Sequence, residues 1–378
     1  MEELQKELEY AKAKGLFREM KIISSAPEKE IVFNGKKYLN FSSNNYLNLA
    51  TDPEVKKAAI EAIQKYGAGG TSSRLVAGTL DIHLQLEQKL ASFKHTQSAL
   101  VFPTGFQTNA GVISTLVKDG DCIIMDRLNH ASLWDGAKLS GARIFIYQHK
   151  DLNALEKVLK RASEYRRRLI VTDTVFSMDG DLAPLKEIVT LAKKYNAWTF
   201  VDEAHATGIF GKNGSGLCEY FGVEKDVDVI MGTLSKALGS QGGFVCGKKE
   251  LIDYLVNFCR SFIYTTSLSP SSCAAALKSI ELIEKDPERR RNLLDRAKNL
   301  RKGLNDKGFD TGASESQIIP LMAGSVEKAM ALSKKFFENG IFAPAIRPPT
   351  VPENECRIRF SLMSSHSDED LDKLLNVL

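Results

Sequence analysis

Polar residues that could do chemistry follow several short apolar runs of this 378-residue chain. Lys236 is the most telling of them, because a lysine amine forms a Schiff base with an aldehyde. The runs 98–102, 121–125, 169–172, 198–201 and 227–231 are followed in turn by Thr104, Gly105 and Phe106, by His130, by Asp173, by Asp202, and by Thr233, Ser235 and Lys236. Ligands of open α/β sheets bind at the carboxyl ends of the strands, so these residues predict one shared site.

The residue types suit pyridoxal 5'-phosphate as a cofactor. Its aldehyde would react with Lys236, and its pyridine nitrogen needs a carboxylate such as Asp202 to stay protonated, which makes the ring an electron sink. His130 is a candidate to stack on the flat ring. His205, three residues beyond Asp202, is a candidate donor to the phenolic oxygen.

The phosphate of the same cofactor needs hydroxyls and the backbone N–H groups of a helix start. The segment Thr104-Gly105-Phe106 could supply the helix start, and Thr233 and Ser235 could supply hydroxyls. Each residue by itself has an ordinary structural explanation, such as a helix cap or a solvated charge. Their joint occurrence at successive strand ends is the argument for a site.

Other motif interpretations find less support. Asp202-Glu203-Ala204-His205 spells a box known from ATP-dependent helicases, but no Gly-Lys pair is followed by Ser or Thr, so a phosphate-binding loop is missing. The patterns G-x-G-x-x-G, G-x-S-x-G and H-E-x-x-H are absent as well. No cysteine or histidine spacing indicates a metal site, and we expect no metal. The six cysteines are interpreted as reduced, buried thiols of a cytoplasmic protein.

Composition excludes several classes of protein. The chain has 51 basic and 47 acidic residues, a net charge of +4, so neither nucleic acid nor an anionic membrane is expected as a partner. No stretch of 18 apolar residues predicts a membrane span. The hydrophobic content of 43% is that of a folded globular protein.

The order of predicted elements indicates an α/β protein of three parts. Residues 1–50 form an N-terminal arm with a helix over about 1–20 and a hairpin turning at Asn34-Gly35. Residues 51–270 alternate helices with seven short strands, which predicts a mainly parallel sheet covered by helices on both faces. Residues 271–378 form a smaller α+β domain that opens with one long helical stretch over about 271–307.

The chain resembles a known family, the α-oxoamine synthases, within fold-type I of the pyridoxal-phosphate enzymes. Eight strings carry the resemblance in the family order: 43–47, 67–79, 129–132, 173–181, 202–205, 232–237, 347–352 and 357–360. One departure is Asn48, where the family commonly has glycine. Asparagine tolerates left-handed backbone, so little effect is expected.

The resemblance implies a role for each matched residue. Lys236 would hold the cofactor and move the substrate proton, with Asp202, His130 and His205 as the other catalytic residues. The implied cofactor-binding set is Gly105, Phe106, His130, Ser177, Asp202, His205, Thr233, Ser235 and Lys236, together with Thr265 and Thr266 donated by the partner subunit of a homodimer. The implied substrate-binding set is Arg18, Asn44, His130, Thr350 and Arg359, with Arg359 clamping a carboxylate.

The reaction implied is the condensation of an amino acid with an acyl-CoA thioester. The string Arg347-Pro348-Pro349-Thr350-Val351-Pro352 favours L-alanine with a pimeloyl thioester of CoA or of a carrier protein, a step of biotin synthesis. Glycine with acetyl-CoA is the alternative. A non-catalytic regulator on the same fold is the alternative of another class, but the first 20 or so residues are too few for a DNA-binding domain.

Overall fold

The computed structural model describes residues 1–378 and divides them into two compact units. The large unit comprises residues 47–177 and 181–291, and the small unit comprises residues 1–46, 178–180 and 292–378. The elements in chain order are α1 (Glu2–Ala13), β1 (Glu30–Phe33), β2 (Lys36–Asn40), α2 (Pro53–Tyr66), α3 (Asp81–Phe93), β3 (Ser98–Phe102), α4 (Gly105–Leu116), β4 (Cys122–Asp126), α5 (Ala131–Ser140), β5 (Arg143–Tyr147), α6 (Leu152–Arg161), β6 (Arg168–Asp173), α7 (Leu185–Lys194), β7 (Trp198–Asp202), α8 (Leu217–Phe221), β8 (Val229–Thr233), β9 (Gly243–Gly247), α9 (Lys249–Phe258), α10 (Arg260–Ile263), α11 (Pro270–Lys285), α12 (Pro287–Asp306), β10 (Ile318–Gly324), α13 (Val326–Glu338), β11 (Ile341–Phe342), β12 (Ala345–Ile346), a 3₁₀ turn (Glu353–Glu355), β13 (Cys356–Ser361) and α14 (Asp368–Val377).

A seven-stranded sheet organises the large unit. Its strand order is β3-β9-β8-β7-β6-β4-β5, and β9 is the one strand that runs antiparallel to its neighbours. Residues such as Ile123, Val171 and Phe200 are completely buried, as expected when helices cover both faces of a sheet. The prediction of a mainly parallel, seven-stranded α/β sheet is confirmed.

The small unit contains two three-stranded sheets, of order β1-β2-β11 and β10-β13-β12. The turn of the β1–β2 hairpin is the predicted Asn34-Gly35, and both residues have the positive φ (48° and 72°) that a two-residue hairpin turn of this type requires. β13 pairs with β10 and with β12, so it is the central strand of the second sheet and is buried along its whole length.

The structure refines two helix predictions. The helix expected over residues 1–20 ends at Ala13, because Gly15 adopts a left-handed backbone (φ 65°) that interrupts it. The long helical stretch expected over about 271–307 consists of two helices, α11 and α12. Pro287 begins the second one, since proline cannot donate the backbone hydrogen bond of a continuous helix and disfavours helical geometry in the residue before it.

The domain division at residues 50 and 270 stays a prediction, and the two compact units are grouped by their contacts. α11 packs against α2 and α3, so the large unit extends to Arg291. The arm of residues 1–46 shares a unit with the C-terminal segment, because β2 pairs with β11.

Three smaller expectations can be compared with the structure. All six cysteines are free and buried, as predicted. Asn48 has a φ of 55°, the left-handed conformation that asparagine was expected to tolerate in place of glycine. None of the helices combines the length and the apolar character needed to cross a membrane.

Candidate active site

Lys236 and His205 meet at the carboxyl edge of the seven-stranded sheet. Lys236 lies in the loop after β8, and His205 lies in the turn after β7. The Lys236 Nζ atom is 2.9 Å from His205 Nε2, and His205 is 5% exposed. Because β7 and β8 are adjacent parallel strands, the residues that follow them lie at the same edge of the sheet. An amine and an imidazole therefore face each other within hydrogen-bonding distance. This pair can hold and transfer a proton.

Asp202 is the last residue of β7, three residues before His205, and it is 4% exposed. Its Oδ2 atom accepts a hydrogen bond from Asn109 Nδ2 (2.7 Å), and its Oδ1 atom accepts one from the Ala204 backbone N–H (2.8 Å). Both donors are neutral. The carboxylate is therefore held in position without an opposite charge, which leaves its negative charge able to pair with a cationic ligand.

Asp173 ends β6 beside Asp202 in the register of the sheet. Burial raises the pKa of the Asp173 carboxyl well above its usual value, and the neighbouring charge of Asp202 raises it further. Asp173 also accepts a hydrogen bond from the His130 backbone N–H at 2.7 Å. Of these two neighbouring acids, Asp173 is thus the one whose neutral form its surroundings favour.

His130 stands at the start of α5 and is exposed, so its ring can contact a ligand. Its Nδ1 atom lies 2.8 Å from Ser132 Oγ and also accepts the Ser132 backbone N–H at 3.3 Å. Loss of hydration lowers the pKa of the imidazole, and the Lys236 charge lowers it further against the opposing effect of Asp202. The ring is therefore neutral at pH 7, with its proton on Nε2.

Hydroxyl and backbone groups gather where β8 and α4 meet. Thr233 Oγ1 lies 2.7 Å from Ser235 Oγ, and a side chain at Gly105 would come within 3.3 Å of Thr233 Oγ1. Gly105 begins α4, and Thr104 caps that helix by accepting the Gln107 N–H at 3.1 Å. A helix N-terminus with two adjacent hydroxyls is a phosphate-binding arrangement. Phe106 is half exposed beside it.

A second cluster, within the small unit, surrounds Arg359. Its guanidinium donates to Ser361 Oγ (2.7 Å) and to Asn44 Oδ1 (3.3 Å), and it lies 3.4 Å from the Tyr46 hydroxyl. Tyr46 is completely buried and donates to Asn44 Oδ1 at 3.0 Å. Burial raises the pKa of Tyr46 against the opposing effect of the Arg359 charge, so its hydroxyl stays protonated. We name Arg359, Asn44, Tyr46 and Ser361 the arginine cluster.

Arg18 and Thr350, also in the small unit, form another contact between distant parts of the chain. Arg18 Nη2 donates to Thr350 Oγ1 (3.2 Å) and to the Pro348 carbonyl (3.1 Å), across more than 300 residues of sequence. Arg347 fastens the same loop by donating to the Phe17 carbonyl at 2.7 Å. The side chain of Arg18 remains exposed and can offer its other N–H groups to an anionic ligand.

Comparison with known proteins identifies the family of this chain. The model of class I and II aminotransferases matches residues 36–378. The chain is 48% identical to 8-amino-7-oxononanoate synthase of Lysinibacillus sphaericus over 371 residues, covering 98% of this chain and 95% of the relative. The corresponding enzyme of Symbiobacterium thermophilum is also 48% identical, with the same coverage.

The chain belongs to the class I and II aminotransferase family, in its α-oxoamine synthase branch. Solved structures agree. Serine palmitoyltransferase of Sphingomonas wittichii superposes with a TM-score of 0.94 at 37% identity and covers 99% of this chain and 95% of its own. The 8-amino-7-oxononanoate synthase of Francisella tularensis has a TM-score of 0.79 at 30% identity, covering 90% and 96%. The resemblance and the fold predicted from the sequence are confirmed.

The cofactor of this α-oxoamine synthase is pyridoxal 5'-phosphate, and the residues of the large unit fit it. The amine of Lys236, the neutrally held carboxylate of Asp202 and the exposed ring of His130 match the aldehyde, the pyridine nitrogen and the ring face. The start of α4, with Thr233 and Ser235, matches the phosphate. Ser177 lies half-buried in the loop after β6.

Thr265 and Thr266 are the remaining two of the predicted cofactor-binding residues. Thr265 Oγ1 lies 3.4 Å from the Gln107 side-chain amide of its own chain, near the start of α4. Thr266 is exposed and forms an isolated bridge with Ser73 of the glycine-rich segment. Their predicted service to a partner subunit stays a prediction.

Sequence reasoning missed the residues that hold the site residues in place. Asn109 and Ser132 contact Asp202 and His130, and Tyr46 and Ser361 contact Arg359. Tyr46 stood inside a matching string but received no role. Asn109 offered one local signal, because a buried asparagine inside a helix needs polar partners.

Proposed function

We propose that this protein condenses L-alanine with a pimeloyl thioester and releases 8-amino-7-oxononanoate, CO2 and the free thiol of CoA or of a carrier protein. The observation that carries the proposal is the near full-length identity, between 44% and 48%, to enzymes named 8-amino-7-oxononanoate synthase. The product is the one that biotin synthesis requires. The activity is that of a pyridoxal-phosphate-dependent acyltransferase.

Four residues of the large unit perform the chemistry in this proposal. Bound pyridoxal phosphate supplies an electron sink, which accepts the electron pair left when the Cα proton of the amino acid is removed. Lys236 would hold the cofactor through its amine and would move the proton at the substrate Cα. His205, hydrogen-bonded to Lys236, orients that amine. Asp202 pairs with the protonated pyridine nitrogen, and His130 stacks on the ring.

The phosphate of the cofactor binds at the start of α4 in the same proposal. The N–H groups of Gly105 and Phe106 would donate to its oxygens, with the hydroxyls of Thr233 and Ser235 beside them. Glycine at position 105 keeps this helix start open, since a Cβ atom there would lie 3.2 Å from Met231 Cε and 3.3 Å from Thr233 Oγ1. Ser177 lines the polar edge of the ring.

The arginine cluster binds the carboxylate of the amino acid. Arg359 offers the charged, forked donor that recognises a carboxylate in two places, and Asn44 holds it in position. Arg18 and Thr350 bind the acyl substrate. An exposed guanidinium suits the free carboxylate at the far end of a pimeloyl group, which acetyl and palmitoyl groups lack.

A specific observation favours a second candidate, a serine-using acyltransferase. The solved structures with a TM-score of 0.94 are serine palmitoyltransferases, whereas the F. tularensis 8-amino-7-oxononanoate synthase scores 0.79. Their identities of 34–37% are, however, below the 44–48% of the synthases compared by sequence. Glycine with acetyl-CoA remains the alternative from the sequence.

A substrate panel decides among these activities. Alanine, glycine and serine are each combined with pimeloyl-CoA, acetyl-CoA and palmitoyl-CoA, and CoA release is measured. We expect alanine with pimeloyl-CoA to have the largest kcat/KM. If glycine with acetyl-CoA or serine with palmitoyl-CoA exceeds it by about 100-fold, the proposed substrates are wrong.

The role of Arg18 is tested by Arg18→Met. We expect KM for pimeloyl-CoA to rise about tenfold or more, because a hydrogen-bonded charge pair is lost. KM for L-alanine serves as the internal control and should stay unchanged. An equal rise for both substrates would show that Arg18 acts on the loop and not on the acyl carboxylate.

We further propose a cytoplasmic homodimer in which Thr265 and Thr266 contact the partner subunit's cofactor phosphate. Exposed apolar side chains beside these threonines and on the glycine-rich segment support a subunit interface: Tyr264 is 71% exposed, Leu75 53% and Val76 82%. Six free thiols suit a reducing compartment.

Mixed dimers test the sharing of residues between subunits. Thr265→Ala and Lys236→Ala subunits, combined in one dimer, should contain one site that has both defects and one that has neither. Activity recovered on mixing, relative to either variant alone, supports the shared site. A monomer by light scattering, or no recovery on mixing, contradicts it.

A further inference from the structure

Asn109 is a buried residue of α4 that contacts two parts of the cofactor site of the large unit. It is 2% exposed, and its side-chain nitrogen donates to Asp202 Oδ2 at 2.7 Å and to Ser132 Oγ at 2.9 Å. An amide nitrogen carries two hydrogens and no acceptor. Each hydrogen is therefore assigned to one of these two oxygens, and both oxygens are acceptors in this contact.

The hydrogen bonds continue from Ser132 to His130. Ser132 donates its backbone N–H to His130 Nδ1, so this nitrogen is an acceptor and carries no proton in the neutral ring. The Ser132 hydroxyl, 2.8 Å from the same nitrogen, must then donate to it. One continuous chain of donors runs from Asn109 through Ser132 to His130, and it leaves the His130 proton on Nε2.

The other hydrogen of Asn109 acts on Asp202. This carboxylate has two donors, Asn109 and the Ala204 N–H, and both favour its ionised form. The neighbouring Asp173 receives a single N–H, from His130. The titratable groups that interact with Asp202 are Asp173 on β6 and His130 at the start of α5, and the charge of Lys236 after β8 acts on both of them. Asn109 is thus a neutral group that helps to decide which of two adjacent acids is ionised.

We propose that Asn109 is a positioning residue that couples the charge of Asp202 to the Nε2–H form of His130, so that the cofactor meets both in the required state. The inference rests on the proposed roles of Asp202 and His130. It concerns the large unit alone and the binding of the cofactor, not the choice of substrate.

The test is cofactor affinity, measured on apoprotein by titration with pyridoxal phosphate and the visible absorbance of the bound cofactor. Asn109→Leu removes both donors at similar volume, and we expect the dissociation constant to rise about tenfold. Ser114→Ala is the matched control, because Ser114 lies on the same helix and bonds only to helix carbonyls. This control should remain within about twofold of wild type.

The pH dependence of affinity separates this role from simple packing. Losing the Asn109 donor disfavours the ionised form of the Asp202 carboxylate, so affinity should begin to fall at a higher pH on acidification in Asn109→Leu than in wild type. Ser132→Ala removes the hydroxyl that links Asn109 to His130 and keeps the Ser132 backbone N–H that donates to His130 Nδ1. In apoprotein labelled with ¹⁵N at histidine, Ser132→Ala should shift the His130 nitrogen signals. The fall of affinity on acidification, which we call the acid limb, should occur at the same pH as in wild type.

The outcomes are distinct. Unchanged affinity and an unchanged acid limb in Asn109→Leu, with Asp202→Asn impaired, would overturn the inference and leave the proposed function intact. No effect in Asp202→Asn would instead overturn the proposed cofactor site. If Asn109→Leu fails to fold by thermal melting, Asn109→Ser, which keeps one donor, must show a smaller loss of affinity with the same shift of the acid limb. If Asn109→Ser shows no such shift of the acid limb, the inference is also overturned.

Discussion

Asp202 and Glu203 are adjacent acids, both buried at the end of the same strand, and they are held in different ways. Asp202 accepts hydrogen bonds from neutral N–H groups. Glu203 pairs with Lys94 at 2.6 Å and accepts the Cys218 N–H at 2.7 Å. A carboxylate neutralised by a buried ammonium serves the fold, whereas one held by neutral donors keeps its charge for a ligand.

His149 extends the comparison within the large unit. It lies between Asp126 (3.0 Å) and Asp181 (2.9 Å), both buried, and Lys150 adds a contact to Asp181 at 2.9 Å. These carboxylates, like Glu203, are paired with cations. Buried acids paired with a cation thus stabilise the structure, whereas Asp202, which has neutral donors, is the acid assigned to the proposed cofactor site.

The largest expected effect is on the Lys94–Glu203 pair. Lys94→Met leaves Glu203 buried and uncompensated, so the free energy of unfolding of the apoprotein should fall by about 3–5 kcal/mol in denaturant titrations. Lys89→Met is the control, since the Lys89–Glu284 pair is partly exposed and should cost under about 1 kcal/mol. Equal losses would remove the distinction between the two kinds of pair.

The second prediction concerns Asp202→Asn. The affinity of the apoprotein for pyridoxal phosphate should fall by about 30–100-fold, because a charged hydrogen bond is lost. The unfolding free energy of this variant should stay the same or rise, since the substitution removes the buried Asp202 charge beside Asp173. Strong destabilisation without loss of affinity would place Asp202 in the same class as Glu203.

The third prediction is a pH dependence from His149. Burial opposes its charged form, but hydrogen bonds to Asp126 and Asp181 outweigh burial and raise the pKa of His149 to about 9. Because the pKa is higher in the folded state, this stabilisation is complete below pH 6.5 and is lost as pH rises through 9, an effect of roughly 2 kcal/mol. Unfolding free energies of wild type and His149→Asn over this range measure it. Parallel curves would contradict the prediction.

The fourth prediction extends the comparison to two arginines of the small unit. Arg357 and Arg359 lie two residues apart on β13, and Arg357 pairs with Asp179 (2.7 Å) and Glu355 (3.2 Å). Arg359→Ala should weaken L-alanine binding by about 1.5–3 kcal/mol. Arg357→Met should leave alanine affinity unchanged and lower stability. Unchanged affinity in Arg359→Ala would place the carboxylate elsewhere.

The local patterns of the chain predicted much of the fold. Seven apolar runs became the seven strands of the main sheet, and Asn34-Gly35 became a hairpin turn, because period and turn chemistry act over a few residues. The break at Pro287 could also have been read from the sequence, since proline punctuates a helix locally. The short first helix depended on the conformation of Gly15, which a helical pattern by itself does not reveal.

The sequence by itself determined which residues end the strands and therefore which side chains gather at the carboxyl edge of the sheet, among them Lys236, His205 and Asp202. Only the tertiary structure decided what each of them contacts. Successive residues at a strand end point to opposite sides, so Asp202 meets Asn109 and Glu203 meets Lys94. Those partners lie about 100 residues away in the chain, and no local pattern specifies a contact over such a distance.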